Sequence, residues 1–248
     1  MTPAPTIFLP GILMPVALRY APLLAELGDA VRPVLKDLEV YATDSVPPAG
    51  FSLETEIAGL GRAADAAGLE RFHIYAHSGG GAVALAYTAL HGERVLSLAL
   101  DEPACDFSPE SLAEMRSIFL PMLDMPTEDM TRAFVGRQLR GGVAPASPAA
   151  PPPPWMSNRP AGIRAFIAAF AESSIPIERL ADFTGPVYYS YGDLSHESWA
   201  TMCQRLQRRF SHFASEVYVG ASHMKTSHLT DPARVAAALR TLWASSQS

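Results

Sequence analysis

A chain of 248 residues is long enough for one domain with a large core, and its formal charge of −6 excludes a nucleic-acid footprint, which needs clustered positive charge. Hydrophobic residues make up 48% and charged residues 18%, as in ordered globular proteins, and no apolar run approaches the ~20 residues of a membrane-spanning helix. The first apolar run lacks the basic segment of a secretory leader, and Cys105 and Cys203 lack metal-ligand or redox spacing, so a cytoplasmic protein with two free thiols is expected.

In chain order, residues 6–9 read as a short apolar strand ending at Pro10-Gly11. Leu18, Leu23, Leu24 and Leu27 have helical spacing, and residues 38–41 read as the next strand. Ser52 is a candidate N-cap for a helix reaching Gly68. A strand at 72–76, a helix to about His91 and a strand at 95–100 follow. Alternation then breaks, and residues 105–182 read as helical and irregular, with a helix start at Ser108-Pro109, a helix from Thr127 ending at Gly141-Gly142, and a third helix at 160–170. Within them, 143–154 are Ala- and Pro-rich and predict a stiff exposed loop. Alternation resumes with a strand at 187–191, a helix at about 196–210, a strand at 216–219 and a last helix at 231–243. Short apolar strands separated by helices predict an α/β fold, with a mostly parallel six-stranded sheet covered on both faces.

The most informative stretch is His73-Ile74-Tyr75-Ala76-His77-Ser78-Gly79-Gly80-Gly81, where a strand runs through a serine into three glycines that open a helix. Such an elbow lifts a hydroxyl above the sheet, and small neighbours relieve the crowding of strand against helix. The pattern is Ala76-x-Ser78-x-Gly80, with alanine where glycine is commoner.

Together with Leu9-Pro10-Gly11-Ile12 and Gly220-Ala221-Ser222-His223, in that chain order, the elbow resembles the α/β-hydrolase fold family along nearly the whole chain. The resemblance implies a hydrolase core of residues 1–104 and 183–248, with 105–182 inserted as a helical cap. It implies Ser78 as nucleophile, His223 as general base, and the backbone N–H groups of Ile12 and Gly79 as oxyanion hole. Proline replaces the family's usual histidine at Pro10. His77 is expected to line or support the pocket, and His228 is the rival base.

The acid is open between two positions. The usual family slot, three residues past Gly192, holds Ser195, which cannot serve as an anion; Asp193 lies nearby. Glu102, at the end of the preceding strand, matches the arrangement of certain haloalkane dehalogenases and is the preferred candidate, with Asp101 and Glu197 as lesser ones. A serine at 78 argues against dehalogenase chemistry itself, which uses aspartate. Apolar residues of the insertion, such as Met115, Phe134, Phe166 and Phe170, favour a small hydrophobic acyl or aromatic substrate, while Arg137 and six further arginines of the insertion could meet a carboxylate. The expected activity is cofactor-free cleavage of an ester, thioester or lactone. Carbon–carbon bond hydrolysis, perhydrolysis, acyl transfer and a non-catalytic binding protein are the alternatives. No metal, nucleic-acid partner or membrane is expected, and a homodimer is compatible with the sequence.

Overall fold

The computed structural model describes residues 2–145 and 152–246. Its sheet has six strands, β1 (Ala4–Leu9), β2 (Val31–Leu35), β3 (Phe72–His77), β4 (Val95–Asp101), β5 (Val187–Gly192) and β6 (Phe213–Tyr218), in the order β2-β1-β3-β4-β5-β6. Every neighbouring pair is parallel. The helices are α1 (Val16–Leu27), α2 (Leu53–Ala66), α3 (Ser78–His91), α4 (Pro109–Glu114), α5 (Thr127–Arg137), α6 (Arg159–Glu172), α7 (Ser198–Gln207), α8 (Ser227–Thr230) and α9 (Pro232–Ser245).

Side-chain alternation along the strands divides the core in two. Phe8, Tyr75, Ala99 and Tyr188 face α1 and α9, where they meet Tyr20, Leu23, Leu239 and Trp243. Their neighbours Ile7, Leu9, Ile74, Ala76, Leu98, Leu100 and Tyr189 face the other way, towards α2, α3, α7 and the helical segment after β4. Both faces are buried, so β3 is buried along its whole length, its polar members His73 and His77 included.

One expected strand is absent and another lies elsewhere. Residues 39–41 form a 3₁₀ turn, because the buried Glu56 carboxylate accepts from the N–H groups of Glu39 and Val40 at 2.9 Å and so takes the donors a strand would use. The second strand is Val31–Leu35, whose Arg32 and Pro33 break the apolar pattern; Pro33 is tolerated because β2 is at the sheet edge. The last strand begins three residues earlier than expected and stops before Val219, which is 80% exposed. The other capping expectations hold. Ser52 closes a capping box with Thr55, and the Ser108 hydroxyl accepts from Ser111 N–H at 3.2 Å. The helix from Thr127, however, ends at Arg137, short of the expected Gly141-Gly142, and part of the Ala/Pro-rich loop, residues 146–151, lies outside the described residues. Cys105 and Cys203 are both buried and free.

On β3, His73 is buried with its Nδ1 2.8 Å from the Ser97 hydroxyl, and burial lowers its pKa to about 4. Below pH 6.5 the unfolded chain takes up a proton that the folded one refuses until about pH 4. His73 therefore lowers stability as pH falls through that window and not above it. Replacing it by glutamine, which can still bond Ser97, should make the loss of stability between these limits shallower by up to ~1.4 kcal/mol per pH unit. Urea midpoints at several pH values check this; parallel curves for the two proteins would refute it.

Candidate active site

All the candidate residues but Glu197 sit at or beyond the carboxyl ends of the strands, where parallel α/β sheets bind ligands. Ser78 is the first residue of α3, directly after β3, and adopts φ = 51°, the left-handed region that a non-glycine residue rarely visits. The chain accepts that strain because its surroundings hold the turn on both sides: Ala104 N–H donates to Ser78 C=O at 2.8 Å and Gly80 N–H to Pro10 C=O at 3.1 Å. A Cβ at Gly80 would lie 2.5 Å from the Pro10 carbonyl oxygen, and one at Gly81 2.9 Å from Pro103. The run of glycines thus lets the helix start pass between two loops. Gly80→Ala should cost about 1–3 kcal/mol through this overpacking, read as a lowered urea midpoint; an unchanged midpoint would show that the Pro10 loop yields freely.

Three candidate side chains meet in one hydrogen-bonded run. Ser78 Oγ lies 2.9 Å from His223 Nε2, and His223 Nδ1 lies 2.7 Å from Glu102 Oε2. Ser78, His223 and Glu102 are 5%, 2% and 0% exposed, so these contacts are shielded from water. Glu102 also has a left-handed backbone, φ = 47°. Its second oxygen, Oε1, accepts from Gly192 N–H at 2.6 Å and from the Ser195 hydroxyl at 2.5 Å. The serine in the customary acid slot therefore serves as a donor to a carboxylate delivered from the neighbouring strand. With Oε1 occupied, Oε2 is left to accept from His223 Nδ1–H, which leaves Nε2 as the acceptor facing Ser78.

Asp193, the alternative acid, is not in this run. Its Oδ1 accepts from Gly220 N–H at 2.7 Å and braces the turn that follows β6, because one residue past Gly192 the chain still lies beside the end of that neighbouring strand. Asp101 faces the opposite side of the sheet, as its place one residue before Glu102 requires, and receives His228 Nδ1–H at 2.8 Å and the Ser227 hydroxyl at 2.5 Å. Burial alone would raise its pKa, but the bonds from His228 and Ser227 outweigh that and lower it. His228, the rival base, is lowered to about 4 by burial and is held away from Ser78 by this pairing. Glu197 lies on the surface at the start of α7, its side chain 72% exposed.

Ile12 and Gly79 are adjacent, since a Cβ at Gly79 would lie 2.7 Å from Ile12 Cγ1. The Ile12 loop is anchored by Tyr41, whose hydroxyl donates to Ile12 C=O at 2.8 Å, with the Arg159 guanidinium 3.7 Å from the centre of the Tyr41 ring. Trp199 stacks on the His223 ring at 4.3 Å between centroids, and its indole N–H is fixed to Pro103 C=O at 3.2 Å. Tyr41 and Trp199 escape a sequence reading because each lies far along the chain from the group it holds.

A cavity of about 50 Å³ sits over Ser78. Its apolar wall comes from Ile12, Met115, Phe134, Phe166, Phe170 and Trp199, and its polar rim from Ser111, Glu114, Arg137, Gln138 and Ser198. A larger cavity of about 1150 Å³ opens at the other end of the sheet, beside Val95, Val187 and Phe213, and contains none of the candidate residues. Among the described residues, no His, Cys, Asp or Glu cluster could hold a metal ion, and no helix is long and apolar enough to cross a membrane.

A parallel sheet covered on both faces, with a strained serine at the turn after a central strand, defines a protein of the α/β-hydrolase class. The chain belongs to the alpha/beta hydrolase family, whose sequence model matches residues 7–238. Among solved structures it is similar to a thermophilic esterase from Thermogutta terrifontis, at 20% identity and TM-score 0.72, covering 100% of this chain and 92% of that one. It is also similar to MenH from S. aureus, at 15% identity and TM-score 0.74, covering 100% and 96%. A third, an esterase from Exiguobacterium antarcticum, has 17% identity and TM-score 0.70, covering 99% and 92%. No curated protein matches the sequence. At these identities the structural likeness is one of fold.

Proposed function

We propose that the protein is a cofactor-free serine hydrolase that cleaves small hydrophobic esters, thioesters or lactones through an acyl-enzyme on Ser78. The observation that carries this reading is the run Ser78–His223–Glu102, with contacts of 2.9 and 2.7 Å. A serine hydroxyl is a poor nucleophile until an imidazole takes its proton. Here His223 Nε2 accepts that proton as Ser78 Oγ attacks the carbonyl carbon. Glu102 holds the tautomer and offsets the charge that develops on the ring. The face of Trp199 lies against the same ring and adds a cation–π contribution as imidazolium forms. The N–H groups of Ile12 and Gly79 receive the oxyanion, each such donor being worth about 3–4 kcal/mol in the transition state. His223 then returns its proton to the leaving oxygen or sulfur. Water, deprotonated by the same imidazole, releases the acid and restores Ser78.

In this reading residues 105–182 act as a cap, with Phe134, Phe166 and Phe170 facing the acyl group. About 50 Å³ is too small for such an ester, so the lining side chains of this segment must shift to admit it. Two of the proteins that share the fold are named esterases. The test is labelling with a fluorophosphonate: a mass increase confined to the Ser78 peptide, slowed while excess p-nitrophenyl acetate is present as a competing substrate, is expected. A folded protein that is neither labelled nor active on short esters would overturn the reading in favour of a non-catalytic binding protein.

A further inference from the structure

On the face of the sheet opposite the cavity, behind the three site residues, lies a fully buried arginine. Arg19, on α1, is 4% exposed, and its guanidinium points at an imidazole and a hydroxyl instead of a carboxylate. Nη2 donates one proton to His77 Nε2 and the other to Thr226 Oγ1, both at 3.1 Å, and Nε has no partner among the described residues. An arginine kept for stability alone would be expected in contact with an acid, whereas Asp101 and Glu102 favour this charge only from beyond hydrogen-bond distance and burial outweighs them. This one is held where its cost is high.

Its two contacts lead to all three members of the site. His77 immediately precedes Ser78, and its ring centroid is 4.8 Å from that of His223. Since a guanidinium can only donate, His77 Nε2 must be unprotonated, which fixes this ring as the neutral Nδ1–H tautomer. Burial and the charge of Arg19 hold the His77 pKa well below its ordinary value, so the ring stays an acceptor across the working pH range. Thr226 lies three residues after His223 on the same loop. Its hydroxyl is 3.2 Å from His228 Nε2, and His228 in turn meets Asp101, the residue before Glu102. Asp101 is bonded to Ser227, which contacts Ser190 on β5 at 3.1 Å, and Tyr75 on β3 reaches both Asp101 and His228.

We propose that Arg19 is a positioning residue for the site: its guanidinium ties His77, Thr226 and, through His228, Asp101 into one buried network that sets Ser78, His223 and Glu102 in register. The role rests on the hydrolase reading above and concerns no contact with substrate. Three chain segments far apart in sequence must bring their reactive atoms to hydrogen-bond distance. A planar donor group serving two of them directly, and the third through the Thr226 hydroxyl and the His228 imidazole, constrains their relative placement more tightly than packing alone.

Arg19→Met keeps length and removes the donors. Active sites are first titrated with a fluorophosphonate, so that any loss of folded protein is removed from the comparison, and turnover of p-nitrophenyl acetate is then measured per titrated site. The expected result is a kcat lower by about 10- to 100-fold with KM within about twofold, the signature of misplaced catalytic groups. Thr226→Val, which cuts one contact only, should lose about 3- to 10-fold, and the double variant should be no worse than Arg19→Met, because both act through one network. Wild-type kcat per titrated site in Arg19→Met, or effects that multiply in the double variant, would overturn the proposal. Should Arg19→Met not fold, Thr226→Val alone decides, and full kcat there overturns it. A wild-type protein neither labelled nor active overturns the hydrolase reading and this proposal with it, whereas a labelled wild type with an unaffected Arg19→Met overturns the role of Arg19 alone.

Discussion

Ser78→Ala should lower kcat on a short ester by at least about 10⁴-fold and abolish fluorophosphonate labelling, while the melting temperature stays within a few degrees of wild type. The side chain removed is one oxygen in a small site, and alanine inherits the same left-handed backbone, φ = 51°, so the elbow itself is little changed. What remains is the oxyanion hole and binding, which can still orient a water molecule against the carbonyl. His223→Ala should fall to a similar floor, and the double variant no further, because nucleophile and base act as a unit. Activity within tenfold of wild type in Ser78→Ala would remove Ser78 from the chemistry.

Glu102→Gln should cost about 10³- to 10⁴-fold in kcat although it changes a single atom. Gly192 N–H and Ser195 Oγ–H both donate to Oε1, so a glutamine would place its amide oxygen there and turn its NH₂ towards His223 Nδ1. The imidazole would then have to accept at Nδ1 and carry its proton on Nε2, facing Ser78 with a donor where an acceptor is required. Asp193→Asn should leave kcat within about twofold, because its carboxylate braces Gly220 and takes no part in orienting His223. Equal losses in the two variants would mean that Glu102 is not the acid. Loss of activity in Asp193→Asn alone would transfer the role to Asp193.

The alternation of apolar strands with helices, the break after residue 100, and the serine followed by three glycines were all legible in the sequence, because each depends on local spacing or on residue size. Residues 38–41 misled for a physical reason. Leu38 and Val40 are buried as their apolar character requires, but Glu56 on α2 satisfies the backbone of this segment and turns it into a 3₁₀ turn. The true edge strand was hidden by Pro33, which is acceptable only where no further strand pairs beyond it. At the site, Ser78, His223, the Ile12 loop and two rival carboxylates, Glu102 and Asp193, could be named as candidates from motif and order. Tyr41, Trp199 and Arg19 could not, since each acts on a group brought close only by folding.

By itself the sequence determined the strand–helix rhythm, the serine at the elbow, the histidine after the last strand, and a choice between two carboxylates. These follow from periodicity, from steric allowance at glycine and from the few residue types able to do proton-transfer chemistry. Only the tertiary structure shows that Glu102, and not Asp193, lies against His223. The outcome depends on which carboxylate the neighbouring strand presents to His223, and on a Ser195 hydroxyl that becomes meaningful as a donor once β4 and β5 lie side by side. Likewise only folding reveals the buried charge of Arg19, because a guanidinium's surroundings are set by segments that the chain brings together from 58 and 207 residues away.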